Sequence, residues 1–152
     1  MKRLLVVIIS SLFLLTACQK AEQDKAVDTD ELADKIAQTD AFDDSISKVE
    51  DDVATVLLNL DSSKISDISC YMNTGATPEM VVVLKADADY KQSAIDALNT
   101  YTSSEKENFE GYSPEQVVKI DNMNLDEVSD VVVLCVSNNS DKISDVIKSY
   151  NK

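Results

Sequence analysis

Met80-Val81-Val82-Val83-Leu84-Lys85-Ala86 decides the fold, because its apolar run leaves no polar face. A strand of this kind sits inside a sheet with both sides covered. Working backwards, Asn73-Thr74-Gly75-Ala76-Thr77-Pro78 is a turn, marked by one of only two glycines beside one of two prolines. Before it lies a strand with Ile68, Cys70 and Met72 on one side, so the two strands form a hairpin. Working forwards, a long helix is expected from about Ala88 to Glu110, capped by Asp87 or Asp89 and closed by Gly111. Its inward face carries Tyr90, Ala94, Ala97, Leu98, Tyr101 and Phe109.

The Val-Val-Val-Leu run returns as Val131 to Leu134, fifty residues on. This second run belongs to a strand expected over Asp130 to Ser137. Tyr112-Ser113-Pro114-Glu115 restarts the chain before it, Val117 to Asn124 reads as a strand, and Leu125 to Ser129 as the turn between the two. Asn139 or Ser140 caps a closing helix with the stripe Ile143, Val146, Ile147 and Tyr150, which echoes Ala94, Ala97, Leu98 and Tyr101. Either a ββα unit is duplicated or a cheap valine pattern has arisen twice. Both readings imply an α+β domain with a four-stranded antiparallel sheet, made from two β-hairpins, and about four helices.

Two helices precede the sheet. The first starts at Asp28-Thr29-Asp30-Glu31, where Asp28 can cap the amide of Glu31, and carries Leu32, Ala33, Ile36 and Ala37 to about Thr39. A second follows Ala41-Phe42-Asp43-Asp44, with Val49, Val53, Val56, Leu57 and Leu60 at spacings of three and four, and stops near Asp61-Ser62-Ser63. Residues 19–27 (QKAEQDKAV) have neither turn nor strand pattern and read as a tether. A coil of about nine residues reaches roughly 15 to 18 Å.

The amino terminus sets location. Lys2 and Arg3 precede an apolar-to-small run, Leu4 to Leu15, and then Thr16-Ala17-Cys18, the pattern of an export signal. A membrane-spanning helix needs roughly 20 apolar residues, and this run has about 12, so it does not span. The ending Leu15-Thr16-Ala17-Cys18 resembles the lipobox of bacterial lipoproteins, in which the cysteine receives a diacylglyceryl group and the peptide is cut before it. Residues 1–17 are then a signal peptide, residues 18–27 a lipidated cysteine and tether, and residues 28–152 a single domain. That places the protein at the extracytoplasmic face of the cell membrane, held through an acyl chain on Cys18.

Removal of Lys2 and Arg3 leaves 12 basic residues against 28 acidic ones, a net charge of −16. Such a surface repels phosphate backbones, so nucleic acid is not expected as a partner. It suits solubility outside the cell. Of the remaining cysteines, Cys70 and Cys135 form an even pair in a compartment where disulfides persist. They can join across strands or stay as two buried thiols.

No histidine occurs anywhere, which removes Ser-His-Asp and Cys-His catalysis and the histidine-bearing zinc sites. Two isolated glycines cannot build a phosphate-cradling loop, and no cofactor is expected. Carboxylates could serve a glycoside hydrolase, but with 28 acids a chance pair means little. Asp28-Thr29-Asp30-Glu31 and Asp87-Ala88-Asp89 lack the glycine and late glutamate of a calcium loop, and helix capping accounts for both. The chain therefore offers no catalytic or metal-binding residue.

The order of pieces resembles a family, domain of unknown function 4358, made of small bacterial lipoproteins found mainly in clostridia-like Firmicutes. The likeness is carried by the lipobox, Ala41-Phe42-Asp43-Asp44, Asn73 to Glu79, Tyr112 to Ile120 and Val132 to Ser137. It implies a membrane-anchored extracytoplasmic domain and supplies no catalytic or binding residue. The expected function is a non-catalytic binding or adaptor module for an unknown protein or envelope component. The alternatives are a small solute-binding lipoprotein serving a transporter, and a carboxylate-dependent hydrolase. Thr74, Gly75, Ala76, Thr77 and Pro78 are the expected recognition loop, against the plainer reading of a hairpin turn.

Overall fold

The computed structural model describes residues 26–150. The expected signal peptide, Cys18 and the expected tether up to residue 25 lie outside the described residues. Val27 does not belong to a tether: it is buried, and its amide donates to Asp130 Oδ1 at 3.1 Å.

The central run behaves as its composition dictates. Strand β3 (Met80–Ala86) pairs antiparallel with β2 (Ile65–Met72) on one side and β5 (Val131–Val136) on the other. β1 (Ser47–Val49) and β4 (Asn124–Val128) close the edges, giving the order β1-β2-β3-β5-β4. Five strands are thus present among the described residues, one more than expected. The extra strand lies where Val49 was assigned to a helix; its amide-exposing edge is only three residues long, which limits edge pairing.

Both faces of the sheet are covered. Val82 and Leu84 of β3, Val132, Leu134 and Val136 of β5, and Ile68 and Cys70 of β2 face one side. There they meet helices α2 (Asp51–Leu57), α3 (Lys91–Tyr112) and α4 (Pro114–Asp121) through Ala54, Leu98, Phe109 and Ile120. Val81, Val83, Val131, Val133 and Cys135 face the other side, against Leu32 and Ile36 of α1 (Thr29–Ala37) and Ile143 and Ile147 of α5 (Ser140–Lys148). The α+β class stands, with five helices among the described residues, one more than the four or so expected, in two layers around one antiparallel sheet.

Further expectations need correction. The expected strand over Val117 to Asn124 is helix α4 up to Asp121, and β4 occupies the residues read as a turn. Pro114 stands at the first helical turn, where its missing N–H has no bond to lose and its fixed φ suits a helix. The actual turn is Ser129-Asp130, between the paired Val128 and Val131. Ser129 takes φ 52°, the positive value a two-residue hairpin demands.

The stripe expected on α2 is also not the buried one. Ala54, Thr55 and Leu58 are buried, whereas Val53, Val56 and Leu57 are exposed. The helix ends earlier than expected because Asn59 adopts φ 53°. The Leu60 amide then donates to Thr55 O at 2.9 Å and the Asn59 amide to Val56 O at 3.1 Å, a Schellman closure that tucks Leu60 into the core.

Helix α3 runs past Gly111 to Tyr112, so that glycine does not close it. No side chain caps its start; the backbone carbonyl of Asp87 accepts from Tyr90 and Lys91 instead. By contrast, Asp28 accepts from the Glu31 amide at 2.9 Å and Asn139 from Lys142 at 3.1 Å, as expected.

The duplication resolves into its parts. Val83 pairs with Val133, so the two valine runs lie about a local two-fold in the sheet. Such an axis would leave α3 and α5 on one face, yet they cover opposite faces. The strands repeat and the helices do not, so no single ββα unit is copied.

Candidate functional site: a buried carboxylate and ammonium at the end of the sheet

Glu79 precedes β3 and is 1% exposed. A carboxylate there needs every lone pair answered. The loop after α1 answers two of them: the amides of Asp43 and Asp44 donate to Oε1 and Oε2 at 2.8 and 3.0 Å. Thr77 Oγ1 donates to Oε2 at 3.4 Å, and Lys119 Nζ to Oε1 at 3.0 Å. Lys119 is itself buried, reaches in from α4, and holds Asp43 Oδ2 at 2.8 Å. Asn138 completes the knot from the end of β5, donating its side-chain amide to Asp43 Oδ1 at 2.7 Å and its backbone amide to Ala41 O at 2.9 Å.

Burial alone would pull the Lys119 ammonium down. Its hydrogen bonds to Asp43 and Glu79 outweigh that, and its pKa stands above the ordinary lysine value. The Lys119 ammonium therefore keeps its proton in the folded state. Chemically the pair is occupied: Glu79 has no free oxygen to offer a sugar or a water, and Lys119 is divided between two carboxylates. A glycoside hydrolase would need one carboxyl free to donate a proton and a second free to attack or activate water.

The expected recognition loop divides in two. Thr74, Gly75 and Ala76 are exposed, whereas Thr77 and Pro78 are buried, with Thr77 serving Glu79. Asn73 shapes the bend by accepting from the amides of Ala76 and Thr77 at 3.0 and 3.3 Å, and Gly75 takes φ +102°, which a side chain would strain. From the exposed half of the loop, Gly75 lines one side of a recess of about 260 Å³, whose other side is Glu105, Asn108, Phe109 and Tyr112 of α3.

Cys70 and Cys135 are both free and buried. They cannot bridge: Cys70 faces α3 on one side of the sheet, Cys135 faces α1 and α5 on the other, and β3 runs between their strands. Burial, with the charge of Asp51 adding to it, pushes the Cys70 thiol up to about 12. Burial also raises Cys135. Of the acids considered as calcium ligands, Asp28 caps the Glu31 amide and three others pair with lysines. Asp30 lies 2.7 Å from Lys48, and Asp87 and Asp89 each lie 3.3 Å from Lys64. Among the described residues no group of three or more metal-ligating side chains converges.

Reading residues singly could not find Glu79 or Lys119, because nothing distinguishes one acid among 28. The Ser113-Pro114 pair was the available signal. As a helix start it takes Lys119 out of a strand and puts Val117 and Ile120 on the packed side.

A family described as a domain of unknown function, DUF4358, matches residues 40–137. The matched stretch holds the whole sheet, α2 to α4, and the residues Asp43, Glu79 and Lys119, while α1 and α5 fall outside it. No curated protein and no solved structure matches the chain.

Proposed function

This chain belongs to the DUF4358 family, and from that premise we propose that it is a lipid-anchored, extracytoplasmic, non-catalytic module that holds a protein partner at the outer face of the membrane. One observation carries the binding role. Val53, Val56 and Leu57 are 46%, 79% and 50% exposed on a single seven-residue helix, α2. Exposed apolar side chains gathered on one element mark a contact surface. Glu50, Asp51, Asp52 and Asp61 are exposed and flank them along the chain, so the matching face has an apolar centre and a basic rim. The non-catalytic character is supported by Glu79 and Lys119, whose polar atoms are taken up inside the fold.

Location rests on Lys2-Arg3, the apolar run and Leu15-Thr16-Ala17-Cys18. No described helix is long and apolar enough to cross a membrane. Two measurements test it. Cys18→Ser should move the protein from the membrane fraction to the soluble one, and continued membrane retention refutes the anchor. A photo-crosslinking residue placed at Val56 in intact cells should capture one protein that the same residue at Asp145, on the far side of the sheet, does not. Equal capture at both positions, or none at Val56, refutes the binding face.

A further inference from the structure

We infer that the recess between Gly75 and α3 binds an organic ammonium ion, recognised by the ring of Tyr112 and the carboxylate of Glu105. This goes beyond the partner face of α2 and does not depend on it. Glu105, Asn108, Phe109 and Tyr112 are spaced by three, four and seven along α3, so they stand on one face of that helix. Phe109 is 5% exposed and forms a fixed wall, whereas Tyr112 is 77% exposed and stands free beside it. Their ring centroids are 6.4 Å apart and inclined at 64°. The exposed Tyr112 ring and a carboxylate supply what an ammonium group needs, namely an electron-rich face and one counter-charge, with the buried Phe109 ring packed beside them.

The counter-charge is unclaimed. One Glu105 oxygen accepts from Asn108 Nδ2 at 3.3 Å, and no lysine among the described residues pairs with that carboxylate. Elsewhere in the molecule an ammonium does lie beside a tyrosine ring. Lys35 Nζ lies 4.8 Å from the centre of the Tyr150 ring, and the Tyr150 hydroxyl donates to Glu31 at 3.1 Å. There the Lys35 ammonium also donates to the Tyr150 hydroxyl at 3.2 Å, so ring, hydroxyl and ammonium are all supplied by the chain, whereas in the recess no ammonium among the described residues meets Tyr112.

Size and field agree with this occupant. About 260 Å³ is below the roughly 300–1,000 Å³ of sites for drug-sized ligands, and it takes a quaternary ammonium group with a short tail. A Cβ at Gly75 would meet nothing within 4 Å, so the loop side of the recess is open for entry. The chain's net charge of −14 draws cations towards it and disfavours anions.

The test titrates the purified full chain with choline chloride, with n-butylammonium chloride and with 3,3-dimethylbutan-1-ol, the uncharged isostere of choline, while the amide signals of Gly75 and Asn108 are followed by NMR. At least one cation should give saturable shifts that weaken as salt is raised, and the alcohol should not. Tyr112→Ala and Glu105→Gln should each weaken binding about tenfold or more, with Tyr112→Phe retaining it. Because Tyr112 is largely exposed, these comparisons can be made on a folded protein, verified by unchanged signals from β3 and β5. Equal shifts with the alcohol, undiminished binding in Tyr112→Ala, or no saturation by either cation at roughly ten times a millimolar dissociation constant overturns the site.

Discussion

Glu79 and Lys119 show how a single residue's environment sets its role. Both are charged and buried, and each depends on the other together with two backbone amides from Asp43 and Asp44. Removing one partner leaves an uncompensated charge, which commonly destabilises by about 3–5 kcal/mol. Lys119→Met should therefore lower the urea midpoint sharply. Glu79→Gln should do so less, because the amide oxygen can still accept from one backbone amide. The double variant should recover part of the loss, since it buries no net charge. Additive losses in the double variant would show that the pair is not the unit. The sequence displays none of this, because the carboxylate, the ammonium and the amides come from positions 79, 119 and 43–44, brought together by the fold alone.

At the level of elements, legibility followed burial. β3 matches its expected bounds, and β5 falls within one residue at each end, because runs of valine buried on both sides leave one reading. α1 and α5 were legible from their caps and stripes, confirmed by Asp28, Leu32 and Ile36 in one and Asn139, Ile143 and Ile147 in the other. α2 and α4 were not. In α2 the more hydrophobic stripe faces outwards, and Ala54 and Leu58 carry the packing. In α4, Val117 and Val118 suggest a strand, while Pro114 and tertiary contact through Ile120 decide for helix. The reversal on α2 has a measurable consequence. Leu58→Ala should cost about 2–5 kcal/mol, whereas Val56→Lys should change stability by no more than about 0.5 kcal/mol. Comparable losses from both substitutions would restore the amphipathic stripe read from the sequence.

Across the whole molecule, a sheet covered on both faces holds groups that keep their protons longer folded than unfolded. Burial raises the Cys70 thiol from 9.0 to about 12 and the Tyr101 phenol from 10.0 to about 12, with Glu105 adding to the second. Cys135 is also raised by burial, and Lys119 is held up by its carboxylates. In each case the unfolded chain releases its proton first as pH climbs. Fewer protons are then bound unfolded than folded, and stability falls with pH. The stability contributed by Cys70 is complete below about pH 9 and is lost as pH rises towards 12. The fold should thus hold a plateau near neutrality and weaken steeply on the alkaline side. Cys70 alone should account for roughly 2–3 kcal/mol of that loss by pH 11. Urea unfolding at pH 8 and pH 11 checks this, with Cys70→Ala as the comparison. The variant starts lower because a buried sulfur is gone, but the difference between its two pH values should shrink by that amount. An undiminished difference would mean that the thiol ionises as readily in the folded sheet as in the open chain, and that the cover provided by α2 and α3 admits water to β2.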